Sequence, residues 1–217
     1  MTSTSYRADE VTGCALCSSI ARPKAPWDRP LAESEHLIAI PSLGSLVEGW
    51  LLIVPRAHFI STGSFTHELA REFAAFKRHL WCRLEAVYGP LCAFEHGPCA
   101  PSRPVGCGVD HAHVHLVPVL FDLVEAARPF VPDAVSWTRA SWAACRDAYN
   151  ARRDYLFIEQ PHGTGSIATA PNFESQVLRK ALATGVAKSN EFDWRGHPHY
   201  EIVDTTIQSL SAVGLSG

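Results

Sequence analysis

The sequence has no hydrophobic run approaching about 20 residues, the length a membrane-crossing helix needs, so no transmembrane segment is expected. Its first ten residues, MTSTSYRADE, carry no apolar stretch after the first charge, which argues against a secretory leader and for a cytosolic protein. Positive and negative charges nearly balance, 19 against 22. A formal net charge of −3 does not supply the positive field that broad nucleic-acid or acidic-membrane binding requires, so neither partner is expected. There are no internal repeats and no long low-complexity tract. Cysteine is present, but the count of 7 is odd and no leader accompanies it, which argues against a disulfide scaffold.

What is present suits a folded chain of 217 residues, 47% hydrophobic and 19% charged. His36–Ile40 and Leu51–Val54 read as strands closed by Pro41 and Pro55, joined by a turn-like PSLGSLVEG that permits antiparallel pairing. Over Thr66–Val87 the residues Leu69, Phe73, Phe76, Leu80, Leu84 and Val87 recur at steps of three and four. This is one apolar stripe of a helix that Gly89-Pro90 ends. Leu91–Glu95, His111–Leu120 and Tyr155–Glu159 read as further strands. Val135–Arg152 and Phe173–Ala187 read as helices, and the tail from Asn190 has no clear pattern. Short strands at hairpin spacing without strict strand–helix alternation predict an α+β fold with a mostly antiparallel sheet.

The most informative stretch is Asp110-His111-Ala112-His113-Val114-His115-Leu116-Val117-Pro118. Alternate residues of a strand share a face, so the three imidazoles should line one surface, backed by Ala112, Val114 and Leu116. Such a row can ligate metal, bind phosphate oxygens or attack phosphorus. Cys14-Ala15-Leu16-Cys17 lacks the strand–helix setting of a redox pair, and two thiolates at this spacing suit one tetrahedral zinc ion. His58 and His111 are candidates for the remaining two ligands, which would make the site structural.

These elements together resemble the histidine triad superfamily. His111–Val117 is similar to its His-φ-His-φ-His-φ-φ signature, with φ apolar. Gly49-Trp50-Leu51-Leu52-Ile53-Val54-Pro55-Arg56-Ala57-His58 is similar to its glycine-led strand, and Cys14-x-x-Cys17 to its zinc-carrying branch. The resemblance spans roughly residues 14 to 120. It implies an antiparallel sheet with a long helix, possible pairing as a homodimer, and hydrolysis or transfer of a nucleoside monophosphate. It implies His113 as nucleophile, His115 as a phosphate holder, and Cys14, Cys17, His58 and His111 as ligands of structural zinc. The partner implied is a nucleotide or nucleotide-activated small molecule.

Three positions depart from that pattern. Gly49-Trp50 stands where Gly-His is usual, Pro41-Ser42-Leu43 where an Asp meets ribose, and Cys107 where Gln is common. Gly106, Cys107 and Gly108 are candidates to bring backbone N–H groups to phosphate. Glu95 and His96, at a strand end, and Gln176 and Arg179, on a helix, are candidate substrate contacts. Asp193-Trp194-Arg195 and His197-Pro198-His199 form a polar-aromatic cluster without an assigned role. Residues 1–125 are expected to form the catalytic domain, and 126–217 an α/β extension packed on it. A nucleotide-binding protein without turnover, or a zinc or redox protein, are the alternative readings.

Overall fold

The computed structural model describes residues 13–215; the leader reading of residues 1–10 lies outside them. Eight strands form one sheet in the order β1-β2-β3-β5-β4-β7-β8-β6. In chain order these are β1 Ala32–Glu33, β2 Leu37–Pro41, β3 Leu51–Pro55, β4 Leu91–Gly97, β5 Val114–Pro118, β6 Thr138–Arg139, β7 Asp154–Glu159 and β8 Gly165–Ala170. Every pairing is antiparallel. The helices are α1 Ala15–Ala21, α2 His67–Tyr88, α3 Leu123–Ala127, α4 Ala143–Asn150, α5 Val177–Gly185 and α6 Tyr200–Ala212. Among the described residues no helix is long and apolar enough to cross a membrane.

The two-residue alternation of the strands sorts side chains onto two layers. One face carries Leu37, Ala39, Leu51, Ile53, Leu91, Ala93, Val114 and Leu116, packed on the stripe of α2. Thr66 caps that helix by accepting the N–H of Leu69, and Gly89, at φ 82°, ends it. The last member of the stripe is Tyr88 and not the expected Val87. Val87 is 41% exposed, and Tyr88, four residues beyond Leu84, packs on the core instead. The other face carries Cys92, Phe94, Val117, Leu156, Ile158, Ala168 and Ala170 beneath α3 and α5. There α1 covers Ile38, Ile40 and Val54 with Leu16 and Ile20.

The second half of the chain continues the first half's sheet. Five residue pairs, from Ala93↔Glu159 to Gly97↔Tyr155, join β4 to β7, and residue 125 falls inside α3. From the far end, α6 sends Leu210 into the α2 core, and Thr206 Oγ1 accepts the N–H of Gly49 at 3.0 Å. Several elements differ from the pattern reading. The helix expected over Val135–Arg152 is confined to α4 and preceded by β6. The one expected from Phe173 starts at Val177, because Gln176 adopts a left-handed φ of 61°. The unpatterned tail holds α6.

Candidate metal site and adjoining cavity

Cys14 caps α1, its Sγ accepting the N–H of Cys17, so the first turn of this short helix presents both thiols together. His58 follows β3 and His111 precedes β5, and the pairing of these strands brings both rings to the thiols. The four ligand atoms lie within 4.8 Å of one another. Nδ1 of His111 is 3.4 Å from Cys14 Sγ and 3.3 Å from Cys17 Sγ, and Nδ1 of His58 is 3.4 Å from Cys17 Sγ. Zn–S bonds of ~2.3 Å and Zn–N bonds of ~2.0 Å at tetrahedral angles put S and N about 3.5 Å apart, so the group can hold such an ion.

The protonation pattern suits a cation too. Nε2–H of His111 donates to the carbonyl of Pro55 at 2.8 Å, which leaves the Nδ1 lone pair facing the thiols. Burial pushes the His111 pKa down to about 4 and lowers that of His58, so both rings are neutral at pH 7. Without a cation, burial pushes the Cys17 thiol up to about 12.

The three motif histidines lie in two different places. The ladder of β5 starts only at Val114, and His111 alone joins the cysteines. Partly exposed His113 and buried His115 instead line a cavity of about 180 Å³, with Cys107 and Arg179. Its remaining wall is largely apolar and includes Leu16, Trp27, Ile40, Leu52 and Trp194.

Each imidazole is held in one tautomer. His113 donates Nδ1–H to the carbonyl of His111 at 2.7 Å, leaving the Nε2 lone pair unused. Burial lowers its pKa, so that lone pair is unprotonated at neutral pH. In His115 the assignment is reversed. Trp50 Nε1–H donates to Nδ1 at 3.0 Å, so the ring proton sits on Nε2, which is buried and has no partner among the described residues. Phe94 stacks on the ring at 4.3 Å and 12°, and burial holds its pKa well below the usual value.

Other expected contacts fall elsewhere. Glu95 and His96 are neighbours on β4 and therefore point to opposite faces. Glu95 is turned away from the cavity, where its carboxylate takes the N–H and hydroxyl of Thr62 and the hydroxyl of Tyr155. His96 lies beneath the cavity wall, Nε2 accepting the N–H of Leu178 at 3.0 Å and Nδ1 facing Cys107 Sγ at 3.5 Å. Gln176 is tied to Asp193 at 3.1 Å and does not line the cavity. Gly106 is buried in the turn Pro104–Gly106, while Gly108 borders a neighbouring groove of about 740 Å³ beside Cys14 and His58.

Trp27, Asp28 and Trp194 line the cavity without having been singled out as site residues, although Trp194 sits in the unassigned polar-aromatic cluster. No local signal aims them there. Trp194 is admitted by Gly44, at φ +70°, where an added Cβ would fall 2.5 Å from the Trp194 Cβ.

No protein-family model matches this chain, and no curated protein matches it. Several solved structures are similar to about half of it, three of them as follows. A hypothetical histidine triad nucleotide-binding protein from Sulfolobus tokodaii is 20% identical, with a TM-score of 0.42 over 50% of this chain and 70% of its own. A member of the HIT family from Bacillus subtilis is 22% identical, with a TM-score of 0.42 over 49% and 72%. A HIT family hydrolase from Clostridium thermocellum is 18% identical, with a TM-score of 0.40 over 51% and 93%.

Proposed function

We propose that this protein is a nucleotidyl hydrolase or transferase that uses His113 to open a nucleotide-like phosphate ester, anhydride or phosphoramidate. The observation that carries the reading is the hydrogen bond from His113 Nδ1 to the His111 carbonyl. It leaves a neutral Nε2 lone pair at the cavity, which is what an attacking imidazole needs. Attack would form an N–P bond as the bond from phosphorus to the leaving group breaks. The positive charge that develops on the ring would be stabilised at Nδ1–H by the same carbonyl. Water or another acceptor would then displace the imidazole, so two easier displacements replace one difficult step.

His115 would hold a phosphate oxygen through Nε2–H, a buried donor with no partner among the described residues. The apolar wall of Leu16, Trp27, Ile40 and Trp194 suits a planar base. Zinc held by Cys14, Cys17, His58 and His111 would be structural, its ligand set closed by protein, and would cross-link α1 to the backbone just before His113. A fixed start to that segment narrows the orientations open to the nucleophile.

The test is turnover of a mixed panel of nucleoside polyphosphates, phosphoramidates and nucleotidyl sugars, followed by chromatography. A His113→Ala control is run beside the wild type. Release by the wild type alone, with a nucleotidyl adduct on His113 by mass spectrometry, is the expected result. Turnover retained in His113→Ala would sink the mechanism. Tight nucleotide binding with no release across the panel would instead favour a binding protein.

A further inference from the structure

Arg179 is among the largest fully buried side chains of the protein, at 2% exposure, and it lies in the wall that His113 and His115 share. A buried cation is costly unless a countercharge meets it. Asp193 acts on it only from beyond contact, and among the described residues Arg179 makes no salt bridge. The carboxylate of nearby Asp193 is engaged by Gln176 Nε2 and by the backbone N–H of Arg195. A guanidinium has five N–H donors. Nε–H reaches the Phe192 carbonyl at 2.9 Å and one Nη2–H the Gly44 carbonyl at 2.5 Å; the others find no acceptor among the described residues.

The guanidinium also lies 4.7 Å over the ring of Trp50, whose own N–H orients His115. One indole thus carries a cation on its face and fixes an imidazole donor at its edge. His115 Nε2–H, buried and without a partner among the described residues, and the guanidinium of Arg179, with N–H groups to spare, line one small cavity.

We propose that Arg179 is a substrate-contacting residue whose guanidinium, held against Trp50, binds the non-bridging oxygens of the phosphoryl group presented to His113. The inference rests on the reading of the cavity as a phosphoryl-transfer site and adds a specificity. The preferred substrate carries an anionic phosphoryl group at the point of attack, and the residue that selects it comes from the second half of the chain.

The test is titration of the zinc-loaded full chain with inorganic phosphate, following the Trp50 indole N–H by NMR. Wild type should bind phosphate with a saturable shift of the Trp50 signal. Arg179→Gln should weaken phosphate by roughly 10- to 100-fold, the range of a charge-assisted hydrogen bond. Arg179→Lys should fall between, keeping the charge and losing the planar fork. Free guanidinium at millimolar concentration should restore part of the affinity of Arg179→Ala, a rescue that a purely structural arginine would not show. If Arg179→Gln misfolds, the lysine variant and the rescue decide. Arg179 variants that bind phosphate within two-fold of wild type, or saturation without movement of the Trp50 signal, would overturn the proposal. Arg179-dependent binding in a protein that never labels His113 would uphold it and reject the covalent mechanism.

Discussion

The indole N–H of Trp50 donates to Nδ1 of His115 across 3.0 Å, which makes the last histidine of the motif a hydrogen-bond donor at Nε2. Trp50 therefore has a physical role beyond filling the core. It fixes a tautomer that an isolated imidazole would choose only part of the time.

Trp50→Phe keeps an aromatic ring in place but removes the donor. The variant should lose about 1–3 kcal/mol of stability, the cost of an unpaired buried acceptor and a small void. It should also let His115 populate both tautomers. Chemical denaturation and the ring nitrogen shifts of His115 check the two effects. Unchanged shifts would show that Trp50 does not set the tautomer.

Glu95 gives a pH signature independent of the cavity. Burial raises its pKa from 4.5 to about 7 against the opposing hydrogen bonds of Thr62 and Tyr155. The folded value lies above the unfolded one. Its stabilising contribution is therefore fully present below the unfolded pKa and is lost as pH rises through about 7. The loss should be on the order of 3 kcal/mol. Denaturation midpoints measured from pH 4.5 to 8 should fall in the wild type relative to Glu95→Gln. Parallel curves would refute the assignment.

Metal content should be one zinc per chain, measured by elemental analysis of protein purified without chelator. Cys14→Ser should lose it and lower the melting temperature, because a cross-link between α1 and the strand ends is removed. The thiols must be deprotonated to ligate, so binding should release protons and weaken as pH falls. Full metal content in Cys14→Ser would remove that residue from the ligand set.

Ending the chain at residue 125 would strip β7 from β4 and remove Arg179 and Trp194 from the cavity. The freed edge, Leu91–Gly97, is long and buried in the full protein, so the fragment should self-associate on size exclusion and bind no phosphate. Among the described residues the sheet ends instead on β1 and β6, two residues each, which offer little edge to pair with. A well-behaved, phosphate-binding fragment would show that the second half is dispensable.

Much was legible locally. The stripe of α2, the paired strands around PSLGSLVEG and the antiparallel α+β class follow from short-range periodicity and turn residues, whereas ligand chemistry made His58 and His111 candidates only and the full set with Cys14 and Cys17 came from the family resemblance. Less was legible where the local signal is weak. The strand β8, Gly-Ser-Ile-Ala-Thr-Ala, has little β-branched content and is held by pairing with β7 along its whole length.

By itself the sequence determined the periods: which residues alternate, which lie on one helical face, and which residue types can ligate or attack. The tertiary structure alone decided what those faces meet. It separated His111 from His113 and His115, gave Glu95 and His96 their partners on the two faces of one strand, and carried Arg179 and Trp194 to a cavity begun by the first half of the chain. The reason is that a side chain's direction follows from its neighbours in sequence. Its partners follow from strand register and packing between segments far apart in the chain, such as Trp50 and His115, 65 residues apart.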